Sequence, residues 1–80
     1  MAKTHKLKIW PEYFKYVVDG IKTFEYRVND RDFKPGDILV LKEWNPKTEK
    51  YTRAEKKVRV TYLLRLLQLE PYVIMSIKGL

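Results

Sequence analysis

Gly20-Ile21-Lys22-Thr23-Phe24-Glu25-Tyr26-Arg27, continuing through Val28-Asn29-Asp30-Arg31-Asp32-Phe33, decides how this chain is read. A glycine opens it where a helical pattern stops, and alternation begins two residues later. Side chains of an extended chain point to opposite faces with period two. Thr23, Glu25 and Arg27 therefore share one face, and Phe24, Tyr26 and Val28 share the other. The reading is a strand from Lys22 to Val28 with an apolar side, which places Phe24 in the core. A polar rim follows directly in Asn29, Asp30, Arg31 and Asp32.

Upstream, His5 to Ile9 alternates apolar Leu7 and Ile9 with basic Lys6 and Lys8, the pattern of a first strand. Pro11 suits the first position of a helix, where a missing N–H costs nothing. Ile9 and Phe14 are spaced as a hydrophobic staple around that start. Phe14, Val17, Val18 and Ile21 keep helical spacing and are expected to face the core. Gly20 ends the helix at about Asp19 by taking the left-handed conformation. So short a helix is unstable alone and must pack on a sheet.

Downstream, Pro35-Gly36-Asp37 is a turn signal. Ile38 to Trp44 reads as a third strand, and Asn45-Pro46-Lys47-Thr48 as a hairpin turn with a charged tip through Lys50. Lys56 to Leu63 reads as a fourth strand, with Val58, Val60 and Tyr62 on one face and Arg59 and Thr61 on the other. Tyr72 to Lys78 is the last, with Val73, Met75 and Ile77 on one side. Between them Leu63 to Leu69 crowds five leucines into a connection stopped by Pro71. It reads as a helical turn capping the sheet, or as an exposed patch for homodimer formation. Repeats, low-complexity tracts and domain boundaries are absent from the sequence, so residues 1–80 read as one domain.

Gly20-x-Lys22-Thr23-x-Glu25-x-Arg27 resembles the signature of the ASCH (activating signal cointegrator homology) domains, a branch of the PUA-like superfamily. The resemblance extends through His5-x-Leu7-Lys8-Ile9, Pro11-x-Tyr13-Phe14, the run Asn29 to Lys34, Gly36-Asp37 and Glu43-Trp44, and so covers nearly the whole chain. It points to a compact, uncharacterised bacterial and phage subgroup. The implied fold is α+β: a small mixed PUA-like β-barrel of five or six strands, one short helix plugging an end, the last strand closing against the first. The implied function is binding of RNA or a nucleotide in a cleft between helix and barrel, with Lys22 pointing into it. One branch is similar to an amidohydrolase that deacetylates acetylated cytidine, pairing this lysine with a threonine three residues on. Glu25 stands at that position, and a carboxylate cannot replace the hydroxyl nucleophile without changing the mechanism. No catalytic residue is assigned, and the reading leans away from an enzyme.

Composition agrees with a polyanionic partner. Seventeen Lys and Arg against ten Asp and Glu give a net charge of +7; a soluble domain that is merely basic would look the same. Without cysteine there is no disulfide and no thiolate zinc site. The single histidine, His5, excludes a histidine-based metal cluster, and Asp30 and Asp32 are too few hard ligands for calcium or magnesium. No cofactor motif is present. Nothing reads as a signal peptide or membrane span, and a cytoplasmic location is the simplest expectation.

The candidate ligand-binding residues are Lys22, Thr23, Glu25, Arg27, Asn29 and Arg31. Arg27 leads them, because a guanidinium fork fits phosphate or a base edge through two donors. It reads equally as half of a structural pair with Glu25. Asn29 and its neighbours also suit a turn for backbone reasons alone. Lys6, Lys8, Arg53, Lys56, Lys57 and Arg59 supply a distributed surface for nucleic acid, with Tyr26, Trp44 and Tyr62 as stacking faces or core. A small hydrolase of a modified nucleoside and a protein-interaction module using the leucine-rich segment remain the alternatives.

Overall fold

The alternation in the first strand sets the frame. In the computed structural model, which describes residues 2–80, β1 (Thr4–Ile9) buries His5, Leu7 and Ile9 and exposes Thr4, Lys6 and Lys8. β1 lies parallel to β3 (Ile38–Asn45), so that Leu7 meets Leu41 and His5 meets Leu39. A parallel pair needs a long crossover. Here it carries α1 (Pro11–Val18) and β2 (Phe24–Val28). β4 (Lys50–Leu64) returns antiparallel to β3, and β5 (Tyr72–Gly79) antiparallel to β4 and to β2. The result is one curled, five-stranded mixed sheet, in the order β1-β3-β4-β5-β2, with a single short helix packed across β3.

The core is continuous along the concave side. Leu7, Ile9, Phe14, Val17, Val58, Val60, Val73, Met75 and Ile77 are buried as their patterns require, joined by Phe33 and by Leu39 and Leu41 of β3. Pro11 sits at the first helical position, and the amide of Phe14 bonds the carbonyl of Trp10 at 2.9 Å. Gly20 takes φ +76°, a conformation a side chain would strain, and turns the chain out of the helix. That turn corrects the expectation for Ile21, which leaves the helix and is exposed. Val18 lies on the outer side of a helix too short to bury more than the Phe14–Val17 stripe.

Three further expectations are corrected. First, β2 faces the other way: Glu25 is 3% exposed, whereas Phe24, Tyr26 and Val28 lie outside, with Tyr26 stacked on Tyr72 at 4.8 Å. The inward charge is tolerated because both carboxylate oxygens are paired. Second, Tyr62 is exposed although Val60 is buried. The pairing moves from Val60↔Ile77 to Tyr62↔Ser76, so Thr61 is an extra residue in β4. Such a bulge changes the facing of everything beyond it, and Leu63 takes the inward place opposite Met75. A second irregularity, between Lys42 and Trp44, lets β4 begin at Lys50 rather than Lys56.

Third, β5 does not close against β1. It lies between β4 and β2, leaving β1 and β2 as the two edges. The gap is spanned by side chains: Arg27 donates from Nη2 to the Lys8 carbonyl at 2.7 Å, and Arg31 from Nη1 to the Lys6 carbonyl at 3.0 Å. Two arginines thus occupy carbonyls that an open edge would otherwise present to another strand. The leucine-rich segment forms a 3-10 turn at Leu67–Leu69, with Leu63, Leu64 and Leu69 half-buried and Leu66 and Leu67 exposed. No helix among the described residues is long and apolar enough to cross a membrane.

Candidate functional site

The reversed face of β2 builds the site. Glu25 points into the opening between β2 and the β1–α1 corner, where a lone carboxylate would be costly. Lys22 Nζ donates to its Oε1 at 2.7 Å and Arg27 Nε to its Oε2 at 2.8 Å. Lys22 also bonds the Phe24 carbonyl at 2.7 Å, and Arg27 the Lys8 carbonyl. Both cations are mostly covered, with side chains 18% and 24% exposed against 4% for Glu25. The triad has a net single positive charge, and its geometry is fixed before any ligand arrives.

Above it lies a cleft of about 520 Å³, within the range of small-molecule sites. Trp10 and Tyr13 from the start of α1 contribute to its lining, Phe24 and Tyr26 border it from the outward face of β2, and Lys22, Glu25 and Arg27 form the polar part. Each of the four aromatic side chains is roughly half exposed. Trp10 and Tyr13 were not among the candidates from sequence. Their signal was the spacing around Pro11, which reads first as helix initiation.

A second depression, about 360 Å³, continues from the first and shares Lys8 and Arg27 with it. Lys6, Arg31, Lys42 and Tyr51 line it, with Asp30 the one carboxylate on its wall. The candidates therefore divide. Lys22, Glu25 and Arg27 meet in the cleft, and Arg31 in the adjoining groove. Thr23 is exposed and does not line the cleft; its carbonyl accepts the Ile77 amide at 3.0 Å. Asn29 holds the loop instead, its side-chain oxygen accepting the Phe33 amide at 2.9 Å.

Of the basic surface residues, Lys6 and Lys57 stand either side of Val40 on the outer face. Arg59 bonds the Gly36 carbonyl at 3.0 Å. Lys56 takes the opposite face, in register with Leu41, and Arg53 sits at the β4 irregularity with φ +78°. Lys42, absent from the sequence-based set, joins Lys6 and Lys57 on that outer face.

A buried polar pair outside the cleft also escaped the sequence reading. His5 Nε2 lies 2.9 Å from Asp37 Oδ2, both nearly sealed, and the imidazole meets the Phe33 ring edge-on at 4.9 Å. Asp37 further accepts the Lys3 amide at 3.0 Å and the Lys34 amide at 3.1 Å. Burial pushes its carboxyl upward, but these amides and His5 outweigh it and hold it below the usual carboxylate range. The pair ties the start of β1 to the turn before β3. Its signal was parity: His5 shares the inward face with Leu7 and Ile9.

Residues 4–77 match the model of a family described as a domain of unknown function, DUF3850. The chain is also similar to an "Uncharacterized 12.9 kDa protein in GpA 3'region" of Escherichia phage P2, 37% identical over 76 residues, which span 94% of this chain and 68% of the relative.

Proposed function

We propose that this chain, which belongs to the DUF3850 family, is a PUA-like module that binds RNA or a nucleotide, placing one base in the aromatic cleft. The observation that carries the reading is the pairing of half-exposed aromatic residues lining the cleft with a fixed Lys22–Glu25–Arg27 triad. Aromatic faces stack bases of any sequence, worth about 1–3 kcal/mol each. Glu25 has acceptor capacity beyond its two bonds, and Lys22 and Arg27 have donors beyond theirs. Together they can meet both the N–H and the carbonyl positions of a base edge. The curled sheet with α1 across it, and the run from Gly20 to Asp37, support the PUA-like assignment.

Binding is preferred to hydrolysis of a modified nucleoside for a geometric reason. The Lys22 ammonium is tied to two acceptors at 2.7 Å, one of them the Glu25 carboxylate, which leaves it poorly placed as a general base.

The test is fluorescence anisotropy with labelled tetrauridylate at low salt, comparing wild type with Tyr13→Ala and with Glu12→Ala, a neighbour outside the cleft. Tyr13→Ala should weaken binding by about 5- to 150-fold, the equivalent of one lost stacking contact. Glu12→Ala should match wild type within about twofold. No binding at low salt, or equal binding by Tyr13→Ala, would overturn the reading.

A further inference from the structure

Three concavities of this surface are connected, and the residues at their junctions are basic. Lys8 and Arg27 belong to both the aromatic cleft and the groove beside it. Lys6 and Lys42 belong to both that groove and a third depression, about 500 Å³, which Lys57 also lines. We propose that these form one track, and that the ligand is an extended single-stranded RNA of several nucleotides rather than a free mononucleotide. This deepens the reading above and rests on it for the base in the cleft.

The sheet gives the track its direction. Lys6, Val40 and Lys57 are in register on β1, β3 and β4, so the two lysines stand about 10 Å apart, two strand spacings. Lys8 lies two residues along β1 from Lys6, about 7 Å further toward the cleft. The path therefore runs across the outer face of three strands, turns over the β1 edge between Lys6 and Lys8, and enters the cleft past Arg27.

Charge identifies the occupant. Beyond Lys22, which is tied to Glu25, six cations line the path: Lys6, Lys8, Arg27, Arg31, Lys42 and Lys57. Beyond Glu25, Asp30 and Glu55 are the carboxylates on it. Among the described residues, Lys6, Lys8, Lys42 and Lys57 have no carboxylate within ion-pair distance. Lys8 and Lys42 lie instead over the rings of Trp44 and Tyr51, at 4.4 and 5.1 Å. Unpaired ammonium groups interleaved with aromatic faces along a groove suit a backbone of phosphates bearing bases. An isolated phosphate would need only the middle groove.

The experiment compares uridine monophosphate with tetra- and hexauridylate by competition anisotropy at several salt concentrations. Wild type, Lys6→Ala, Lys42→Ala and the off-track control Arg65→Ala are measured, each with its fold checked by circular dichroism. Hexauridylate should bind at least tenfold more tightly than the monophosphate. Lys42→Ala should weaken hexauridylate five- to tenfold, more than it weakens the monophosphate, and lower the salt slope by about 0.7. Lys6→Ala should do the same, so the test does not depend on one variant folding. Equal affinity for monophosphate and hexamer would overturn the track while leaving the cleft reading intact. A loss with Arg65→Ala as large as with Lys42→Ala, or equal competition by polyglutamate, would overturn it as plain charge attraction. Length-dependent affinity that Lys42→Ala removes but Tyr13→Ala does not would support the track and overturn the cleft.

Discussion

Glu25→Gln removes one charge and almost no volume from the centre of the site, so its cost can be worked from the contacts. In the native protein each carboxylate oxygen accepts from a cation, at 2.7 and 2.8 Å. A glutamine has one oxygen and one amide nitrogen, so one cation must face a donor. The charge-assisted bond lost there is worth about 1.5–3 kcal/mol, and the other bond weakens. Removing one member of a fully buried pair costs about 3–5 kcal/mol. That figure is an upper bound, since Lys22 keeps the Phe24 carbonyl, Arg27 keeps the Lys8 carbonyl, and both reach solvent. The expected loss is therefore about 2–3 kcal/mol, or roughly 8–24 °C in Tm for a domain of this size. The assay is urea unfolding followed by tryptophan fluorescence, with the slope against urea unchanged. In a Lys22→Met background the same substitution should cost at least 1 kcal/mol less, because part of its effect belongs to the pair. A change within about 0.5 kcal/mol, the range of ordinary surface substitutions, would refute the triad as a stabilising unit.

Other consequences follow from the same contacts. The Asp37 carboxyl is held below its usual value, so its stabilising contribution is complete above the unfolded value of about 3.9. That contribution is lost as pH falls through the folded value; urea midpoints from pH 7 to 3 should fall below about pH 4 in wild type and less steeply in Asp37→Asn. Arg31→Ala should cost about 0.5–1.5 kcal/mol and speed amide exchange in β1, since its bond to the Lys6 carbonyl spans the open side of the sheet; unchanged exchange would show that the bridge is idle. If the 87%-exposed Leu67 makes a homodimer, sedimentation should show a concentration-dependent mass that Leu67→Glu abolishes; a strict monomer at high concentration would rule that out.

Much of the sheet was legible because period-two alternation is a direct consequence of strand geometry. Leu7 and Ile9, Val58 and Val60, and Val73, Met75 and Ile77 all went to the face their pattern required. The failures have separate physical causes. Hydrophobicity assumes that the apolar face is buried, and β2 breaks that assumption because Lys22 and Arg27 satisfy Glu25 on the inside. At Thr61 a single unpaired residue reverses the facing that follows, and nothing in Val58-Arg59-Val60-Thr61-Tyr62 marks it. The edge position of β1 depends on which strands pair at long range, which local pattern cannot encode. In the site, Lys22, Glu25 and Arg27 were legible as neighbours on one strand. Trp10 and Tyr13 were not, because they reach the cleft only through the path of α1 over the sheet.

The most direct test of the central claim is a nitrogen–proton correlation NMR titration of the labelled protein with uridine monophosphate. A base seated in the cleft should give saturable shifts concentrated at the Trp10 indole and at the backbone amides of Tyr13, Lys22 and Phe24 to Arg27, persisting at moderate salt. Small shifts spread over all lysine-bearing faces and erased by salt, or none at all, would contradict it.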